Sequence, residues 1–305
     1  MQYRLKQYML NPIFLTRKAI SKILILTITV LKNFLDLVEP SYILSKNGKK
    51  VLKRNKELHN KYKDKRCFIL GTGPSLNKCD LEFLKDEVSI GLNSIWHHEN
   101  IGSWEPTAIC FVEPSAYSGS ENWDKYFNKF REKIKKSILI APLKGYKSVI
   151  SNKLFPIERT YFISSGKDYS KLKHHSFDLT KPVSTMQTVV FAAIETAIYM
   201  GCNQIYLLGI DHDWATYRGQ PPHFYNNKDV VVDEEVGDTS KYTYEFILSE
   251  GVKLWNSYKG LRKFAIKKGV EIYNASEGSF LDVFPFVKYN ELFKKKDLKN
   301  DEYKY

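Results

Sequence analysis

Two clusters in this 305-residue chain have residue types and spacings suited to chemistry. The first is Gly71-Thr72-Gly73-Pro74-Ser75, directly after the apolar run 67–70. A strand running into Gly-x-Gly and then a turn is the arrangement that aims backbone N–H groups at a phosphate, since glycine permits conformations and approaches that a Cβ forbids. No Gly-Lys-Ser/Thr follows, so this is not a P-loop, and the third glycine of the dinucleotide fingerprint is missing. A plain tight turn would use the same glycines. The second cluster lies between Asp213 and Ser240, about 27 residues without an apolar period, and holds Tyr217, Arg218, His223 and Tyr225. Connections of that length tend to be lids or binding loops. Histidine titrates near neutrality and serves as acid or base, while tyrosine and arginine can contact phosphate. The plain alternative for His223 is a surface histidine after Pro221-Pro222.

These residues need elements to hold them. Short β-type runs occur at 67–70, 88–92, 108–112, 137–141, 161–163, 204–208 and 271–273, with helical stretches at 121–136, 186–200 and 242–268. The alternation predicts an α/β fold, a Rossmann-like and mostly parallel sheet with helices on both faces. In such sheets ligands bind beyond the carboxyl ends of the strands, and polar residues stand there at Gly71–Ser75, Asn93-Ser94 and Asp211–Asp213. Asn274–Ser279 is another polar strand end.

Composition excludes a disordered tail, a collagen and a disulfide mini-scaffold: 43% of residues are hydrophobic and 14% aromatic. The formal charge is +13, yet residues 1–66 carry 16 basic and four acidic side chains, so the remaining 239 residues are nearly neutral. A nucleic-acid-binding domain would spread its basic residues over the folded surface, and no nucleic-acid partner is expected. Within the leader, residues 19–38 form an amphipathic pattern, with Lys18, Lys22, Lys32 and Asp36 on one strip and Ile23, Leu24, Leu31, Phe34 and Leu35 elsewhere. Its longest uncharged run, 23–31, is too short to span a bilayer upright. A helix lying in the interface of an anionic membrane fits, with the polybasic stretch 46–66 adding attraction. A core helix, a cleaved signal peptide and a short tilted span are the alternatives. Cys67, Cys79, Cys110 and Cys202 show neither C-x-x-C nor metal spacing, which suits a reducing cytosol.

Taken together, C-F-I-L-G-T-G-P-S-L-N-K-C-D-L-E-F-L, the strand-end Asn93, T-V-V-F-A-A-I-E-T-A-I-Y-M-G-C-N-Q-I-Y-L-L-G-I-D and E-I-Y-N-A-S-E-G-S-F-L-D-V-F-P resemble a superfamily with two branches. One is the bacterial sialyltransferases of glycosyltransferase family 42, and the other the motility-accessory-factor and 6-hydroxymethylpterin pyrophosphokinase proteins. The resemblance covers about residues 65–292 and implies a Rossmann-like (GT-A-type) domain there; composition and pattern leave 1–64 as a basic amphipathic membrane-associating segment and linker and 293–305 as a charged tail. It implies that Gly71, Thr72, Gly73 and Ser75 line the nucleotide, that Asn93 bonds it, and that Asp211 sits below the reacting centre. His223 would take the acceptor proton, with Tyr217 and Tyr225 steadying the departing phosphate during inversion.

Three positions depart from the sialyltransferase pattern: Thr72 for Asn, Glu113 for the Asn after the third strand, and Asp213 for a tyrosine. Glu113 is kept as a donor-binding candidate. Asp211-His212-Asp213 is the kind of Asp-x-Asp with which many glycosyltransferases hold Mg²⁺ or Mn²⁺ against a diphosphate, although the sialyltransferases work without metal. The expected activity is transfer of a sugar, first a sialic-acid-like sugar acid from a CMP donor, onto a cell-surface glycan or lipid-linked acceptor. No tightly bound cofactor is expected, a divalent ion stays open, and so does homo-oligomerisation. The expected location is the cytoplasmic face of the inner membrane, peripheral or monotopic. Alternatives are a Mg²⁺-dependent pyrophosphokinase acting on a pterin alcohol and a non-catalytic membrane scaffold.

Overall fold

Among the described residues, seven short strands, almost bare of exposed side chains, account for the architecture: β1 (Arg66–Leu70), β2 (Val88–Leu92), β3 (Ala108–Cys110), β4 (Ile138–Pro142), β5 (Thr160–Ile163), β6 (Gln204–Leu208) and β7 (Glu271–Asn274). They form one sheet in the order β5-β4-β3-β2-β1-β6-β7, every pair parallel. Strands covered on both faces read as continuous apolar runs, which is why R-C-F-I-L and Q-I-Y-L-L lack polar alternation. The computed structural model describes residues 46–166, 168–184, 187–219, 222–225 and 239–294, with positions 20 and 27. The chain divides into two units, Met1–Gly48 and Lys49–Tyr305, and the sheet belongs to the second.

Each face of the sheet has its own core. Cys67 and Ile69 of β1 point to one side, together with α4 (Val189–Tyr199) and α5 (Tyr244–Lys267). Phe68 and Leu70 point to the other, against α2 (Glu121–Lys133), whose Trp123, Tyr126, Phe127 and Phe130 recur at helical spacing. A shorter α1 (Lys46–Lys53) precedes the sheet and α3 (Tyr146–Ser151) follows β4. α4 starts three residues later than its apolar pattern suggests, because the Thr188 hydroxyl accepts from Val190 N and caps it there. It ends where Gly201 takes a φ of +91°.

Two expected boundaries move. The stretch up to residue 64, read as a linker, enters the fold from Lys49. Leu52 and Leu58 are fully buried, and the buried Asn55 amide donates to Phe162 O and Leu179 O, both at 2.7 Å. At the other end Phe293, assigned to the charged tail, stacks on Phe83 with centroids 5.0 Å apart, and Arg66 lies over its ring. Both shifts have one cause: high local charge hid a few apolar positions that pack. The amphipathic pattern 19–38 lies outside the described residues except at positions 20 and 27, and among the described residues no helix is long and apolar enough to cross a membrane.

Asn55→Ala should therefore unfold more readily, by about 2–4 kcal/mol, since it strands two buried carbonyls and leaves a void. Urea denaturation of the full chain checks this, and a loss below about 0.5 kcal/mol would return 49–64 to the status of a linker.

Candidate functional site

The strand order reverses between β1 and β6, and at such a switch point the two carboxyl ends border a crevice. Gly71 N donates to Leu208 O at 2.7 Å and Gly73 N to Gly209 O at 2.9 Å, so the turns after β1 and β6 are laced together. Glycine is required at both positions. A Cβ on Gly71 would collide with the Gly209 carbonyl, and one on Gly73 would lie 2.5 Å from Asp211 Oδ2. Ser75 completes the lacing, its N–H donating to Asp211 Oδ2 at 3.0 Å and its hydroxyl to Oδ1. The expectation that Gly71–Ser75 presents its N–H groups to a phosphate is thus corrected: those of Gly71, Gly73 and Ser75 are spent on Leu208, Gly209 and Asp211, and Thr72 is the residue of the turn whose N–H stays out of this lacing.

Asp211, His212 and Asp213 face three different partners. Burial pushes the Asp211 carboxyl above its ordinary range, the Asp213 charge adds to this, and the Ser75 bonds oppose it. His212 has φ +50°, and its Nε2 meets Tyr258 OH at 2.7 Å; burial lowers its pKa to about 4. Asp213 Oδ2 accepts from Tyr217 OH at 3.1 Å, and the Asp213 charge raises the phenol's pKa. Beneath them Ile210 N donates to Ser276 Oγ, Ser279 Oγ donates to Ile210 O, and Phe280 N donates to Asp211 O. The polar end 274–279 therefore positions β6.

The long loop meets the first turn directly. Phe224 N donates to Thr72 O at 2.9 Å, and His223 Nδ1 stands 3.2 Å from Thr72 Oγ1. The imidazole is at the surface, and the protein packed against it lowers its basicity. Tyr225 stacks on His223 with centroids 5.0 Å apart; burial raises its phenol, tempered by hydrogen bonds to Ser94 and Thr72. Thr239 ties the base of the loop, its hydroxyl donating to Tyr217 O at 2.9 Å and its N–H to Gly219 O at 3.0 Å. Asn93, at the end of β2, has φ +45° and a buried Oδ1 without a hydrogen-bond partner. A ligand hydroxyl or amine would supply the missing donor, and an unmet buried acceptor of this kind costs about 1–3 kcal/mol.

The structure thus brings Thr72, Asn93-Ser94, His223 and Tyr225 to one place, with Asp211, Asp213 and Tyr217 along the same crevice. Glu113 is not among them: its Oε1 accepts from Ser115 N and Oγ and caps the turn Pro114–Tyr117. Sequence reading missed His97 and Tyr126, which pack around Tyr225 and Ser94 with a His97–Tyr225 centroid distance of 5.3 Å and a Ser94 Oγ to Tyr126 OH distance of 3.1 Å. The signal available was the aromatic run Trp96-His97-His98 directly after the polar strand end. For a metal, Asp211 and Asp213 retain free lone pairs, but among the described residues no group of three or more His, Cys, Asp and Glu side chains gathers.

Sheet order and helices together define a Rossmann-like protein whose candidate ligand crevice lies at the β1/β6 switch point. The family profile of the 6-hydroxymethylpterin diphosphokinase MptE-like proteins matches residues 43–216, more than half of the chain, and the protein belongs to that family. No curated protein matches it in sequence. Solved structures similar to it include the sialyltransferase CstII from Campylobacter jejuni in complex with the substrate analogue CMP-3FNeuAc, at 15% identity over 73% of this chain and 86% of that one, with a TM-score of 0.42. CstII in complex with cytidine-5'-monophosphate matches at 17% identity over 74% and 85%, with a TM-score of 0.41. The same enzyme with a trisaccharide acceptor and CMP matches at 15% over 73% and 86%, with a TM-score of 0.43.

His212 gives the site a pH signature. An unfolded imidazole takes up its proton near 6.5 and this folded one only near 4, so between those values the unfolded state binds more protons and stability falls as pH drops. The loss is at most about 3 kcal/mol. His212→Gln should lack this slope when urea midpoints of both proteins are compared from pH 7 to 4.5; parallel curves would disprove the assignment.

Proposed function

We propose that the protein is a glycosyltransferase that moves a sugar, first a CMP-linked sugar acid, onto a glycan acceptor with inversion. The observation that supports this most directly is the docking of His223–Tyr225 onto Thr72 at the switch point, beside the unmet Asn93 acceptor. With Nδ1–H donating to Thr72 Oγ1, His223 Nε2 is the basic nitrogen. It removes the proton of the acceptor hydroxyl as that oxygen bonds to the anomeric carbon and the bond to the nucleotide phosphate breaks on the opposite face. The Tyr225 and Thr72 hydroxyls donate to the phosphate as its charge grows, and Asn93 orients the nucleoside. Tyr217 is engaged by Asp213, so Tyr225 is the better supported of the two phenols.

A second reading is favoured by the family profile and by the Asp211–Asp213 pair: pyrophosphoryl transfer from ATP to a pterin alcohol, the two carboxylates holding Mg²⁺ against the phosphates. One assay separates the readings. Incubation with CMP-, UDP-, GDP- and CDP-sugars should release CMP, and ATP with the pterin alcohol should remain unconsumed. His223→Ala should lower kcat by ~10²–10⁴-fold. The acid limb of the wild-type pH profile should lie below the free-imidazole value of 6.5, because the site lowers the basicity of His223. Release of no nucleotide from any sugar donor would sink the transferase reading, and an unimpaired His223→Ala would misassign the base.

The leader extends the proposal to location. Its charge and amphipathic pattern support docking on the anionic cytoplasmic face of a membrane, near a lipid-linked or otherwise membrane-held acceptor. Deleting residues 1–40 should abolish co-sedimentation with anionic vesicles and spare soluble turnover; sedimentation that survives the deletion would refute this.

A further inference from the structure

Beside the crevice, the outer face of α5 carries two neighbouring cavities of about 400 and 580 Å³ that share Lys259. The first is lined by His212, Trp214, Leu248, Trp255 and Phe280 among others, and the second by Lys259, Arg262, Lys263, Lys267 and Asp282. We propose that they form one groove that binds a phosphorylated saccharide, with sugar rings on the indoles and the phosphate among the basic side chains. That this saccharide is the acceptor rests on the transferase reading.

The aromatic half is built. Trp255 Nε1 donates to Asp282 Oδ1 at 2.8 Å, which fixes the ring, and His212 lies 5.8 Å from it, centroid to centroid. Gly251 eases the close approach of Trp214 to α5: a Cβ there would stand a tight 3.2 Å from its Cη2. Glycine inside a helix costs about 1 kcal/mol relative to alanine, and here that weakness makes room for an indole. Flat rings with a polar edge suit sugars, whose C–H faces are apolar and whose rims hydrogen-bond.

The basic half carries excess positive charge. Lys259, Arg262 and Lys263 have no ion-pair partner among the described residues, and the one carboxylate in the lining, Asp282, accepts from Trp255 and offsets only part of their charge. Three cations on adjacent turns facing a single carboxylate complement an anion, and Arg offers a phosphate two parallel donors. Location ties the groove to the crevice, since His212 and Trp214 flank Asp213 in sequence and line the aromatic end.

The test uses the full chain and four probes: maltose 1-phosphate, maltose, inorganic phosphate and anionic phosphatidylglycerol vesicles, with calorimetry for the soluble probes and sedimentation for the vesicles. Maltose 1-phosphate should bind more tightly than maltose or phosphate. Arg262→Glu with Lys263→Glu, two exposed positions, should weaken it by about tenfold or more, and so should Trp214→Ala. CMP binding by the double variant should be unchanged. No binding of maltose 1-phosphate, or equal binding of phosphate alone, overturns the proposal. So does vesicle binding that the double variant removes while maltose 1-phosphate binds it undiminished, which would make the groove a lipid-headgroup surface beside Leu248 and Val252. If the wild type binds maltose 1-phosphate but not CMP, the groove stands and the transferase reading falls.

Discussion

The close approach of the turns after β1 and β6 is the constraint on which the rest of the site depends. Two backbone hydrogen bonds, Gly71 N to Leu208 O and Gly73 N to Gly209 O, hold the turns in contact, and the missing Cβ atoms make that contact sterically possible. Asp211 then falls within reach of Ser75, and Thr72 is the residue of the first turn whose N–H stays out of the lacing. Phe224 and His223 dock on Thr72, so the loop's position is inherited from the lacing beneath it. The glycines work as steric permissions for strand-end contact, and the chemistry falls to the residue between them.

Three consecutive side chains show how backbone geometry distributes charge. The left-handed conformation of His212, uncommon for a residue with a side chain, turns its ring to Tyr258 between two carboxylates that take other partners. A neutral imidazole suits that half-buried position, and a charged one would not. Asp211 braces the first turn through Ser75 and Asp213 holds a phenol, so an Asp-x-Asp pattern that reads as a uniform metal motif contains two carboxylates with different partners.

How much of this could be read beforehand depended on which physical signal each part leaves. The strands were legible because a sheet covered on both faces needs unbroken apolar runs, and the turn-bearing strand ends followed from them. The convergence of Thr72, Asn93, His223 and Tyr225 was legible mainly through resemblance, since nothing in their spacing brings a loop back across some 150 residues. Glu113 misled because a carboxylate at a strand end suits a cap as well as a ligand, and the Ser115 N–H that decides between them is local geometry. The buried role of residues 49–64 was hidden by lysines: Leu52, Asn55 and Leu58 are three positions in a stretch whose average is strongly polar. The groove on α5 leaves no periodic trace, because its aromatic wall comes from three segments that sequence order separates.

The Ser75–Asp211 bridge spans 136 residues, and the parallel sheet places β6 beside the first strand made. During synthesis, β1 to β5 can emerge and pair in order of neighbours before the crevice has its second wall. Contacts this remote in sequence form late, after the loop-closure entropy has been met. A nascent or truncated chain ending before Gln204 would therefore hold most of its strands and none of its Asp211 contacts, so completion of the site reports completion of the fold.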